Sequence, residues 1–152
     1  MAREFQVLRH TNVDGPWHLD GDNTDALTIT VDTNIALTAV ILYGLINDIP
    51  DLADRGNTIR VHYGNERYEQ TYVISANGQQ TQTVSIINPI PIIANTGFTV
   101  VVDTPTFYVH YGTQCQAICT TDDIVITFER SPLCTTDTDE EQGQIAGIEF
   151  NA

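Results

Sequence analysis

A chain of 152 residues is one domain's worth of sequence, long enough to bury a core without covalent staples. Twenty acidic residues stand against six basic ones, all arginines, for a formal charge of -14 with no lysine. Such a charge repels phosphate backbones and anionic lipid, which argues against nucleic acid and membrane surfaces as partners. No apolar run approaches the length of a membrane span, and the first residues, Met-Ala-Arg-Glu-Phe-Gln-Val, do not read as a secretion leader.

Residues 3 to 8 read as a first, marginal strand with Phe5 and Val7 on one side. His10 to Trp17 reads as a loop, in which Gly15 and Pro16 set the backbone and Trp17 is the large anchor. Asp20-Gly21-Asp22-Asn23-Thr24-Asp25 carries two readings. The carboxylates of Asp20, Asp22 and Asp25 can converge on calcium, though the distal glutamate of an EF-hand loop is missing. Alternatively Gly21 makes a turn and Asp25 hydrogen-bonds backbone where the next strand begins.

The chain is organised around Asp25 to Gly44. Leu27, Ile29 and Val31 alternate with Thr28, Thr30 and Asp32, the period of a strand buried on one face. Val40-Ile41-Leu42-Tyr43 is a continuous apolar run, as in a strand covered on both faces. The two halves read as an antiparallel pair with one central member, and Leu37 and Ile41 are expected inside. A second layer must then cover it, which implies a β-sandwich.

Leu45 to Gly56 has no strand period and reads as a crossover with room for one helical turn after Pro50. Ile59, Val61 and Tyr63 alternate with Arg60 and His62 in a strand ending at Gly64-Asn65. Arg67 to Ser75 and Gln80 to Ile87 flank Asn77-Gly78, the dipeptide that best signals a hairpin. Asn88-Pro89-Ile90-Pro91 is expected to end that second strand, because proline has no N–H for a ladder. A second hairpin is predicted from Gly97 to Asp103 and Pro105 to Tyr111. Ile124, Ile126 and Phe128 mark a further strand, and Ile145 to Phe150 the last, after an acidic, solvated segment at Thr135 to Gln142. About ten short strands without an amphipathic helix predict one all-β domain over residues 1–152, an antiparallel β-sandwich.

Several short motifs are collinear: Trp17, Asp25-Ala26-Leu27, Val31-Asp32, Ile35, Leu42-Tyr43-Gly44, His110-Tyr111-Gly112-Thr113, Gly143-Gln144-Ile145 and Ile148-Glu149-Phe150. In order and spacing they resemble the PHR domain, the module named after the Pam and Highwire ubiquitin ligases, which also closes the BTB-BACK-PHR adaptor proteins. The resemblance spans nearly the whole chain. It implies a PHR-like sandwich that is a non-enzymatic protein-interaction module associated with ubiquitin ligases, binding a protein partner through loops at one end. Those loops would include Trp17 to Thr24, a turn at His110 to Thr113, and Asp139 to Gln144. Candidate partner-binding residues are Trp17, His110, Tyr111 and Gln144. The family pattern continues Gly-Gln-Ile with proline, where this chain has Ala146. The absence of lysine suits a ligase subunit that escapes its own modification, and equally a general bias toward acidic surfaces.

Catalytic chemistry finds little to stand on. Ser75, Ser85 and Ser131 do not sit in a strand-turn-helix elbow, and no glycine loop cradles phosphate. No cofactor is expected. His110, Cys115 and Cys119, with one of His18, His62 or Cys134, have the ligand chemistry of zinc, although Cys-x3-Cys after His-x4-Cys is not a standard knuckle. The same cysteines can form one disulfide or stay as inert thiols, and their odd number favours a reducing, cytoplasmic compartment over an extracellular one. The alternative function is a self-assembling structural subunit, prompted by the Thr, Asn and Gln content and by edge strands expected at residues 3 to 8 or 145 to 150.

Overall fold

The computed structural model describes residues 3–18, 24–43, 56–73, 81–103, 108–115, 117–133 and 145–152. Among these residues twelve strands follow one another: β1 (Glu4–Leu8), β2 (His10–His18), β3 (Thr24–Val31), β4 (Ile35–Tyr43), β5 (Gly56–Tyr63), β6 (Glu66–Val73), β7 (Thr81–Ile92), β8 (Gly97–Asp103), β9 (Tyr108–Cys115), β10 (Ile118–Thr121), β11 (Ile124–Arg130) and β12 (Ile145–Asn151). Ten of them build the predicted sandwich, from a four-stranded sheet in the order β1-β12-β4-β7 and a six-stranded sheet in the order β10-β11-β3-β8-β5-β6. β2 and β9 pair only with each other, as a two-stranded antiparallel ribbon.

The alternating residues fill a single seam between the sheets. Leu27, Ile29 and Val31 enter it from β3, Phe98, Val100 and Val102 from β8, and Ile148 and Phe150 from β12. Burying one such side chain is worth about 1.5–3 kcal/mol, so the apolar faces of the strands outweigh local turn preferences in deciding the topology.

β4 shows how this works. Ile35 and Leu37 face the seam, but further along Val40 and Leu42 do. The phase changes because Thr38 is an extra residue against β12, while at the same point β7 carries four unpaired residues, 86–89. On β7, Ile90 pairs with Leu37 and Ser85 with Ala39, while on β12 Phe150 pairs with Leu37 and Glu149 with Ala39. A bulge of this kind turns the following side chains to the other face. Among the described residues the Thr38 hydroxyl is buried without a hydrogen-bond partner. Beyond the bulge Ile41 and Tyr43 point outward and are still buried, in a second small cluster with Ala146. Since the seam fills the inner face, β9, which packs against both β4 and β12, covers them from outside.

Several pairings differ from expectation. β3 and β4 are not a pair: they lie in opposite sheets, and residues 32–34 carry the chain across. The Val125 N–H donates to Asp32 Oδ1 at 2.9 Å and the Ala94 N–H to Asn34 Oδ1 at 2.8 Å, which fixes this corner to both layers. β6 and β7 form no hairpin either. β6 pairs with β5, through a turn at Gly64 with φ +58°, and β7 pairs with β4. Asn77-Gly78 itself lies outside the described residues, as does the expected crossover from Leu45 to Gly56 except for Gly56, which opens β5. Likewise β8 pairs with β3 and β5, and β9 with β2. The physical reason is common to all three. Alternation records which face of a strand is apolar, not which strand lies beside it: β3 and β4, and β6 and β7, lie in opposite sheets, while β9 leaves the sandwich for the ribbon. Tyr72 of β6 and Ile86 of β7 both pack on the seam.

Four further expectations are corrected. The loop expected at His10 to Trp17 is strand β2, and the turn expected at His110 to Thr113 lies inside β9. β7 runs on through Pro89 and Pro91 because it is an edge strand: Pro89 falls among residues 86–89, which have no partner on β4, and Pro91 pairs with Ala36 on a strand whose other side is open, where a missing donor is tolerated. Of the two proposed edges, β1 is one, whereas β12 is interior. A hairpin the sequence reading missed joins β10 to β11 through Asp122 and Asp123, at φ +46° and +66°. Both torsions are positive, as a type I′ turn requires.

β1 reaches β12 at Gly147, which pairs with Leu8. A Cβ at Gly147 would run into the Val7 carbonyl, whereas one at Gly97 meets nothing closer than Thr28 Cγ2 at 3.4 Å. G147A is therefore expected to lower stability by about 1–3 kcal/mol and to expose the β1 amides to hydrogen exchange. Under the same denaturant titration G97A should change little.

Candidate functional site

The ribbon is the element that gathers sequence-predicted site residues. Its register runs His10 to Cys115, Asn12 to Thr113, Val13 to Gly112, Asp14 to Tyr111, then, after a break, Trp17 to Val109 and His18 to Tyr108. The break leaves Gly15 and Pro16 facing the backbone around His110. Proline removes a ladder donor and glycine frees the torsions, so the two strands part there. Trp17, His110 and Tyr111, spread over nearly a hundred residues of sequence, thereby come to one stretch of ribbon. Gln144 lies outside the described residues, one position ahead of β12.

What anchors the ribbon is Arg9, a residue that sequence reasoning passed over. It sits between β1 and β2 and is 1% exposed. Its backbone N–H donates to the Ala146 carbonyl at 2.9 Å, and its side-chain Nε donates to the Ile145 carbonyl at 2.7 Å. Both contacts bind the base of the ribbon to the first turnings of β12. The signal was present, because Arg9 continues the phase of Phe5 and Val7 and so places a guanidinium at an inward position. Ala146 also finds an explanation. It is the extra residue between Ile145, paired with Leu42, and Gly147, paired with Ile41. At such a bulge proline and alanine serve alike.

The other candidate groups are dispersed. Asp25 is buried at the start of β3, opposite Val102, while Asp20 and Asp22 lie outside the described residues. Cys119 is buried as a thiol with its Sγ 4.0 Å from the Leu8 carbonyl. Cys115 ends β9, and Cys134 lies outside the described residues. Among the described residues no group of three or more His, Cys, Asp or Glu is placed to hold a metal. No helix among them is long and apolar enough to cross a membrane.

On the outer face of the six-stranded sheet, His62 pairs with Arg67 on one side and Thr99 on the other. Partial burial first, then the charges of Arg67 and Arg60, hold its pKa below the ordinary 6.5. Arg67 is itself tied down, its Nη1 donating to the carbonyls of Gly64 at 3.0 Å and Glu66 at 2.9 Å.

The sandwich and its overlying ribbon define a small β-sandwich recognition domain. The PHR domain family matches residues 8–151, and the chain belongs to that family. It is thus, in general terms, a protein-interaction module. A search of the curated proteins found no match.

Two outcomes test this geometry. Replacing Arg9 by methionine strips the donor from a buried carbonyl and should lower stability by about 1–3 kcal/mol, read from the denaturation midpoint. For His62 the sign follows from the lowered folded-state pKa. The unfolded chain takes up this proton first as pH falls, so His62 withdraws stability on acidification through 6.5 and below. An NMR titration should place its pKa under 6.5, and Arg67→Gln should raise it.

Proposed function

We propose that this PHR domain is a non-enzymatic adaptor that binds a protein partner through the β2–β9 ribbon and the chain adjoining its end. The observation that carries the reading is the register break at Gly15-Pro16, which sets Trp17 beside the His110-Tyr111 stretch on a ribbon standing outside the sandwich. Aromatic side chains held by a rigid scaffold are the usual source of binding energy in such modules. The candidate anchors are Trp17, His110 and Tyr111, and the sequence adds Gln144 as a fourth. A chain of charge -14 selects basic surfaces and speeds encounter with them at low salt.

The family also suggests service to a ubiquitin ligase, with this domain as the part that chooses the target. In this reading ligation is carried out by other domains, and the PHR domain contributes recognition.

The domain carrying His110→Ala and Tyr111→Ala together is compared with the unaltered domain in quantitative pull-downs, with melting temperature as the control for folding. The double variant should keep its melting temperature and lose at least one partner that the unaltered domain retains. Retention of every partner would remove the ribbon from the binding surface.

A further inference from the structure

The two flanks of the sandwich are built differently. On one flank β1 lies beside the β10–β11 hairpin, with Arg3 Nη2 2.7 Å from Asp122 Oδ2 and the Cys119 thiol against the Leu8 carbonyl. That side is shut. On the other flank β6 and β7 stand apart, and a groove of about 180 Å³ opens between them. Its floor is Ile59, Val61 and Ile90 of the core, and its rims are Tyr68 on β6 and Ile87 on β7, the latter 77% exposed.

Gln70 bridges the groove. Its Nε2 donates to the Ser85 carbonyl at 2.8 Å, and its Oε1 accepts from the Ile87 N–H at 3.2 Å. One carboxamide thus takes the acceptor and donor that a neighbouring strand would take from β7. The edge is closed to another sheet there, and the two rims are held at a set distance. The floor residues are themselves buried, so the apolar surface that the groove offers to solvent is that of its walls, Tyr68, Ile86 and Ile87.

We propose that this groove receives one leucine or phenylalanine side chain from an extended segment of a partner protein, with arginine or lysine next to that side chain in the partner's sequence. The volume fits a single anchor, since a cavity of roughly 150 Å³ lined by apolar side chains already holds benzene. The charge sets its neighbours. Glu69 lines the groove with Arg60 opposite it on β5, Glu66 begins the same strand, Arg67 between them is turned back onto the carbonyls of its own turn, and the chain as a whole carries a charge of -14. A second copy of the chain is a poor occupant, because it would bring another -14 charges to the same rim. The groove is separate from the ribbon, and neither reading depends on the other.

The test titrates the isotope-labelled full chain with extended decapeptides bearing one central leucine or phenylalanine flanked by arginines. Peptides with central alanine, and with glutamates as flanks, serve as comparisons. Amide shifts should cluster at Gln70, Ile87 and Asn88, and both comparison sets should bind about tenfold more weakly or worse, the loss expected for one buried anchor or its paired charge. Ile87→Asp and Tyr68→Ser should each weaken the arginine-flanked peptide by a similar factor at an unchanged melting temperature. Equal binding by the alanine peptide, or shifts confined to the β2–β9 ribbon, would overturn the proposal. So would a concentration-dependent dimer that Ile87→Asp abolishes, since a second copy would then be the occupant.

Discussion

The constraint on which the rest depends is that β4 is covered on both faces. A strand in a two-layer sandwich ordinarily has one wet side, and Thr28 and Thr30 of β3 face that way. β4 does not, because the bulge at Thr38 turns Val40 and Leu42 inward and leaves Ile41 and Tyr43 on the outside. Two large apolar side chains in water would forfeit several kcal/mol. The ribbon over that face recovers it, so the element that carries the proposed binding residues is also required by the core.

The same economy appears in how the sheets end. Edge strands invite pairing with other chains unless something blocks them. β10 is four residues long, and β7 carries two prolines, a bulge and the Gln70 clasp. β1 is pinned by Arg3 to the opposite sheet and keeps Glu4 and Gln6 exposed. β6 has Glu66, Arg67 and Glu69 exposed along it. These devices push against open-ended strand addition and leave discrete features, a ribbon and a groove, as the surfaces available for recognition.

Arg9 links the core to the recognition surface. A buried guanidinium is held where β1 ends, β2 begins and β12 starts, and it gives hydrogen bonds to carbonyls on the strand that follows Gln144. Desolvating such a charge is expensive, and a residue that survives that expense sets geometry as well as stability. The early and late halves of the family pattern, residues before 45 and after 108, meet at this point. The middle of the chain supplies β5 to β8, which complete the two sheets of the sandwich.

Within the sequence itself lay the class of fold, most strand positions and the side of each strand that is apolar. Ile59 and Val61, Phe98 and Val100, Ile126 and Phe128 are all buried as their alternation predicts, because side-chain direction in a strand is a local property of period two. The double coverage of β4 was also legible, from four apolar residues in a row. Pairing was not: Asn77-Gly78 suggested a hairpin between strands that lie in opposite sheets, and β2 hid behind Gly15-Pro16. The register that brings Trp17 opposite Val109, next to His110 and Tyr111 in the ribbon, the clasp of Gln70 on β7 and the burial of Arg9 belong to the tertiary structure alone. They depend on which faces meet across the seam, and that is settled by the total apolar area buried, a sum over residues distant in the chain that no local window contains.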